Sequence, residues 1–198
     1  MKKRKALSII LLISSVAILG YVAYQKLPQI YYQLDQNKLD REFSSYKPKI
    51  LKVIIPKRQL DKPMPTKLII PKMKFDQSIV YASSNMDAQM KALKQGPTHY
   101  GGTALPGQIG NVIIGGHYVS YTFKYLNTLR VGDTATLSTP IADFKYKIIK
   151  TKVVNENALN EVKGYGKKKE RLLTLYTCVY PSAITKARHL VVAKQIYP

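Results

Sequence analysis

Ala6 to Tyr24 is a run of 19 residues without a charge, mostly Leu, Ile, Val and Ala, and it follows Lys2, Lys3, Arg4 and Lys5. At a rise of about 1.5 Å per residue, a helix of that length roughly matches the hydrocarbon core of a bilayer. A helix apolar all round belongs in a large core or in a membrane, and this chain is too short for the first. The run reads as an uncleaved membrane anchor with the rest of the chain beyond it. Four cations ahead of the run and only Lys26 just behind it predict a cytoplasmic amino terminus, with the remainder outside the cell. Ala17, Gly20 and Ala23 are compatible with a cleaved signal peptide. However, no Ala-x-Ala site follows the run, and it is long for a signal. No second apolar span of this kind occurs. The expected layout is a basic tip and anchor over 1–25, a stalk and linker over 26–66, and one folded domain over 67–198.

Charge narrows the partners. Of 32 Lys and Arg residues only four precede the anchor, leaving 28 against 11 Asp and Glu in the outer part, a net +17. Such a surface attracts polyanions, including anionic lipid head groups and wall polymers, and speeds encounter with acidic partners. Basicity is also the footprint of nucleic-acid binding. The lysines are scattered and carry no nucleic-acid motif, so no nucleic acid is expected as a partner.

Between anchor and domain, Gln29 to Phe43 has apolar residues at 30, 31, 34, 39 and 43, a patchy helical spacing that reads as a helical stalk. Pro48, Pro56, Pro63 and Pro65, set among lysines, then predict an extended linker. From Lys67 onward the chain is a series of short β-branched runs: Lys67-Leu-Ile-Ile, Ser78-Ile-Val-Tyr, Asn111-Val-Ile-Ile, Thr134 to Ser138, Phe144 to Val154, Leu172 to Thr177 and Leu190 to Ile196. In the fifth, Phe144, Tyr146 and Ile148 alternate with lysines, as in a half-buried strand. A short helix capped by Ser84 or Asn85 is expected over Met86 to Lys94, and one helical turn within Phe123 to Leu129. Gly96 to Gly110 is dense in turn residues, and Asn155 to Arg171 reads as a long polar loop. Many short strands with little helix predict an all-β, closed or nearly closed barrel of about 130 residues.

The chain has one cysteine, Cys178, at the end of the run Leu172 to Thr177. An exported protein usually pairs its cysteines. A solitary one is either a small buried hydrophobe or a thiol kept for chemistry. His117 closes a strand through Gly115 and Gly116, where a side chain can project into a cleft and act as base for a thiol. Arg188, ten residues after Cys178, cannot lose its proton and suits an oxyanion or a substrate carbonyl. Spacing alone leaves the plainer readings open: filler cysteine, turn histidine, edge arginine. His99, in the glycine-rich stretch, and His189, beside Arg188, read as a backbone-bonded and a partly buried neutral histidine.

From about Leu68 to Ile196 the chain resembles the sortases, membrane-anchored cysteine transpeptidases of Gram-positive cell surfaces. Thr174-Leu-Tyr-Thr-Cys178 is similar to the family's Thr-Leu-x-Thr-Cys signature, Arg188-His-Leu-Val-Val to its arginine strand, and Asn111-Val-Ile-Ile-Gly-Gly-His117 to its histidine strand. Leu68 to Lys72, His99 to Gly107, and Phe123 to Leu129 with Gly132-Asp133 agree in the same order. The resemblance implies an eight-stranded sortase β-barrel with one or two short helices. It implies that Cys178 attacks the threonine carbonyl of a Leu-Pro-x-Thr-Gly sorting signal, forming a thioester that a peptidoglycan-precursor amine resolves. His117 would move the protons, Arg188 would hold the backbone or oxyanion, and the Thr177 hydroxyl would help position substrate. No cofactor is implied.

Two departures stand out. Tyr118-Val-Ser-Tyr is bulkier than many relatives show after the histidine, which implies a different cleft wall. Glu156 and Glu161 lack acids opposite them in Gly101 to Gly110, so no calcium or other metal site is expected. The anchor, the lack of a carboxy-terminal span and the short Cys178–Arg188 interval favour a class A-like, wall-anchoring member. A pilus-assembling sortase with a pilin lysine as acceptor is the alternative. A papain-like peptidase would place cysteine before histidine, the reverse of the order here. A non-enzymatic, membrane-tethered barrel binding wall polymer explains the charge and anchor but not the ordered blocks.

Overall fold

The computed structural model describes residues 2–46, 62–155, 169–181 and 185–197. Its first element, helix α1 (Lys2–Ser45), carries the apolar run and the patchy amphipathic segment as one helix. This helix is long and apolar enough to cross a membrane. The chain divides into two compact units, 1–34 and 35–198. The last turns of α1 thus belong with the strands, and their side chains show why. Gln36 donates through Nε2 to the carbonyls of Ser78 (3.2 Å) and Gln95 (3.1 Å). Asp40 accepts from Ser78 Oγ at 2.6 Å and pairs with Lys67 at 3.2 Å. Of the expected linker, 47–61 lies outside the described residues, as do the Glu156 and Glu161 positions.

The strands are β1 (Lys67–Ile70), β2 (Phe75–Ser78), β3 (Val80–Tyr81), β4 (Thr98–His99), β5 (Gly110–Gly115), β6 (Thr134–Ser138), β7 (Asp143–Asn155), β8 (Arg171–Cys178) and β9 (Ala187–Tyr197). They form one sheet in the order β2-β1-β6-β7-β9-β8-β5-β4-β3. Its two edges, β2 and β3, are consecutive in sequence and separated only by Ile79, whose N–H turns to the carbonyl of Thr66 (2.9 Å). The sheet therefore curls into a nearly closed barrel. Nine strands are described where eight were expected, because one bent run, 75–81, counts twice. Helix α2 (Met86–Leu93) lies between β3 and β4 and is capped by Asn85, whose Oδ1 accepts from the N–H groups of Asp87 (2.8 Å) and Ala88 (3.2 Å).

Alternation sorts the side chains. Phe144, Tyr146 and Ile148 of β7, Val112 and Ile114 of β5, Leu173 and Leu175 of β8, and Val191 and Ala193 of β9 fill the interior. Phe123 and Leu126, on the connection between β5 and β6, close the same core. The lysines of β7 point away from it: Lys145 and Lys147 are exposed. On the outer face of β5, β8 and β9 a second, small apolar cluster forms from Ile113, Tyr176 and Leu190, with Tyr100 and Val154 against it. This outer patch is the floor on which the site sits.

Candidate active site

Register pairs Cys178 with Arg188 and brings the strand that leads to His117 alongside them. β8 and β9 run antiparallel with Cys178 opposite Arg188, one step beyond the Tyr176–Leu190 pair. Directly opposed residues share a face, with Cα atoms about 4.5–5.5 Å apart. β5 runs parallel to β8 with Gly115 level with Tyr176. His117 lies two residues beyond the end of β5, as Cys178 lies two residues beyond Tyr176 along β8. Across the sheet the strands stand in the order β5, β8, β9, β7, and Val154 of β7 is opposite Arg188 on the far side. Cys178 and Arg188 are half-buried and His117 is exposed, so all three are open to a ligand. The cysteine is a free thiol.

Each position has a local cause. Gly115 and Gly116 are required by what lies over them. A Cβ on Gly115 would sit 2.5 Å from the Tyr176 hydroxyl oxygen, and one on Gly116 would sit 2.6 Å from the Phe123 ring. Tyr176 therefore leans across β5 just ahead of His117, with Tyr100 edge-on to it at 5.4 Å. After Gly116 the chain turns, and the carbonyl of His117 accepts from the Thr122 hydroxyl and from the Phe123 N–H (3.1 Å). The Tyr121 carbonyl accepts from Gln77 Nε2 at 2.7 Å, which ties this turn to β2. Neither Thr122 nor Gln77 was singled out from sequence, where a polar residue in a turn gives no signal of what it holds. The Arg188 guanidinium donates from Nη1 to the carbonyl of Ala187 at 3.0 Å.

Thr177 is placed differently from the expectation. Being next to Cys178 in a strand, it faces the other way, into the barrel with Leu175 and beside Gly116. It is 1% exposed, and its hydroxyl is buried. His99 is buried and hydrogen-bonds through Nε2 to the Ala104 carbonyl at 2.9 Å and to Thr103 Oγ1 at 3.1 Å. His189 pairs with Thr177 across β8 and β9 and so faces away from Cys178.

The electrostatics favour neutral rings. His117 is pushed below the ordinary histidine pKa, first by withdrawal from water against the surrounding protein and then by the charge of Lys94. Burial lowers His99, opposed by its hydrogen bond to Ala104, and burial lowers His189. Burial raises the Tyr176 phenol above the usual tyrosine value, and the neighbouring Tyr100 adds to this. Histidines depressed in the fold bind protons better when unfolded, so their contribution to stability is complete above about pH 6.5 and is lost as pH falls through the depressed values. The melting temperature should therefore drop as pH is lowered from 7.5 towards 5. A His99→Gln chain should show a shallower slope than the wild type. Equal slopes in the two would remove His99 as a contributor.

The chain matches the family model described as the Sortase domain over residues 68–196. It belongs to the sortase family, whose members are cysteine transpeptidases. A curated relative, sortase D of Bacillus subtilis, is 28% identical over 106 residues, covering 52% of each chain. The chain thus spans about half the length of that curated relative. Among solved structures, a Clostridium perfringens sortase D5 transpeptidase superposes with a TM-score of 0.62 at 24% identity, covering 84% of this chain and 98% of the other. The SrtA sortase of Actinomyces oris gives 0.56 at 22% identity, with 70% and 88% covered. Sortase C2 of Group B Streptococcus Pilus Island 1 gives 0.58 at 23% identity, with 86% and 96% covered. These likenesses speak to the barrel alone.

Proposed function

We propose that this chain is a membrane-anchored transpeptidase that cleaves a Leu-Pro-x-Thr-Gly-type sorting signal between Thr and Gly and transfers the acyl part to a peptidoglycan-precursor amine. The observation that supports the reading is Cys178 opposite Arg188 on the paired strands β8 and β9, with His117 two residues beyond the end of the neighbouring β5, in a chain of this family. Residues 1–25 are assigned to the cytoplasmic tip and anchor, 26–66 to the stalk and linker, and 67–198 to the catalytic domain outside the membrane. Thr177, with its buried hydroxyl, is assigned to the barrel rather than to the substrate.

The chemistry follows from what a thiol, an imidazole and a guanidinium can each do. His117, neutral at pH 7, takes the Cys178 proton, giving thiolate beside imidazolium. The thiolate attacks the threonine carbonyl, and the charge that develops on oxygen meets the fixed guanidinium of Arg188. Collapse of the adduct breaks the C–N bond, and the imidazolium gives its proton to the departing glycine amine. A thioester remains, and His117 is neutral again. The incoming amine attacks the thioester and passes its proton to His117, which returns it to the departing thiolate. Because the pKa of His117 is lowered, its imidazolium is a stronger acid towards the leaving amine than an ordinary histidine would be.

The test uses the full chain in detergent with a quenched Leu-Pro-x-Thr-Gly peptide and an amine acceptor, read by fluorescence and by the mass of the product. Ligated product that depends on the acceptor is the expected outcome. No thioester and no ligated product with any acceptor would sink the transpeptidase reading. Product formed only with a pilin-motif lysine would move the assignment to a pilus-assembling enzyme.

A further inference from the structure

We propose that the stacked rings of Tyr118 and Tyr180 form a clasp that holds the His117 turn against the end of the Cys178 strand, making Tyr180 a positioning residue. The inference rests on the transpeptidase reading above.

The β5–β8 ladder, which sets the spacing of His117 and Cys178, ends before reaching either residue. Its last paired position is Gly115 with Tyr176, followed by one N–H from Gly116 to the Tyr176 carbonyl at 3.1 Å. Beyond that point the chain to His117 leaves the ladder while β8 runs on to Cys178 against β9 before it turns, and each turn is braced within itself. On the histidine side the bonds are Thr122 to His117 and the N–H of Thr122 to Val119 at 2.9 Å. On the cysteine side they are Val179 N–H to the Ala187 carbonyl at 3.1 Å and Thr185 Oγ1 to the Val179 carbonyl at 2.9 Å. Those bonds shape each turn but do not fix the gap between them.

The ring pair spans that gap. Tyr118 directly follows His117, and Tyr180 lies two residues past Cys178. Their centroids are 6.1 Å apart with 23° between the planes, a stacked arrangement. Tyr180 is 73% exposed, so core burial does not account for where its ring lies. Its stacking partner is the residue beside the proton carrier. A nucleophile and base that must meet within hydrogen-bond reach are sensitive to sub-ångström drift, and this contact resists such drift. The bulk of Tyr118, noted in the sequence as a departure from many relatives, is then the complement of Tyr180.

The experiment compares full-length wild type with Tyr180→Ala, Tyr118→Ala, the double variant and Tyr180→Phe. It reads kcat and KM for transfer, and separately the pH profile of Cys178 alkylation by iodoacetamide. Each alanine variant should lower kcat about tenfold or more with KM little changed. The double should be no worse than either single, as expected of two residues acting as one contact. Tyr180→Phe, which keeps the ring, should retain the wild-type behaviour. The alkylation profile of Tyr180→Ala should move towards that of His117→Ala, a change that loss of stability alone does not produce. Unchanged kcat, additive single effects, an effect confined to KM, or an unmoved alkylation profile would each overturn the clasp. A wild-type chain that forms no acyl-enzyme overturns the transpeptidase reading instead. An active wild type with an unaffected Tyr180→Ala overturns the clasp alone.

Discussion

Cys178→Ala eliminates the acyl-enzyme and lowers transfer by about a thousandfold or more, because without the thiol there is no covalent route. The variant is a clean test, since Cys178 ends β8 half-buried and contributes little to either apolar cluster. Its melting temperature should stay near that of the wild type, so lost activity cannot be charged to lost fold. Cys178→Ser sharpens the point. The hydroxyl is nearly the same size but far harder to ionise than a thiol, and His117, held neutral by its surroundings, is no stronger a base than in the wild type. Serine should therefore also leave no detectable acyl-enzyme by intact mass. Acyl-enzyme in Cys178→Ala would remove the thiol mechanism and return Cys178 to the filler reading, whereas an acyl ester in Cys178→Ser would mean only that a hydroxyl at this position can still attack.

The strands most legible in the sequence were those with their own hydrophobic signal. The run Thr134 to Ser138 coincides with β6, and the alternation of Phe144, Tyr146 and Ile148 gave the inward face of β7. What escaped were the elements made by their neighbours. β4 is only Thr98 and His99 within a turn-rich stretch, and it is a strand because β5 offers it a ladder. β2 holds Asp76, Gln77 and Ser78, a poor strand composition, and exists through pairing with β1. The same division applies to the site. Cys178, His117 and Arg188 stood out as residue types at or near strand ends, but the pairing of Cys178 with Arg188 depends on register, which sequence does not print. Thr177 shows how a strand separates neighbours: one residue along from Cys178 is the opposite side of the sheet. Tyr180 gave no signal at all, because its partner is 62 residues away in the chain and the contact is tertiary.

The two glycines before His117 should fail in different ways. Gly116→Ala drives a Cβ to within 2.6 Å of the Phe123 ring, and Phe123 is fully buried with Phe75 against it at 5.4 Å. That ring can yield only by displacing core neighbours, so the variant should lose about 1–3 kcal/mol of stability, the usual range for overpacking a core. Alanine's smaller conformational cost in a strand offsets only about 0.5–1 kcal/mol of this. Gly115→Ala meets Tyr176 instead, at 2.5 Å from its hydroxyl oxygen, on the outer face beside the site. Tyr176 can tilt outward, at the expense of its edge contact with Tyr100 and of the floor next to Cys178 and Arg188. The expected signature is therefore split. Urea denaturation should show the larger loss for Gly116→Ala, while kcat/KM corrected for the folded fraction should show the larger loss for Gly115→Ala. The reverse pattern would mean that Phe123 has room to move and that Tyr176 is not part of the floor. Equal activity in both would separate the Gly-Gly pair from the chemistry and leave it a packing requirement of the barrel.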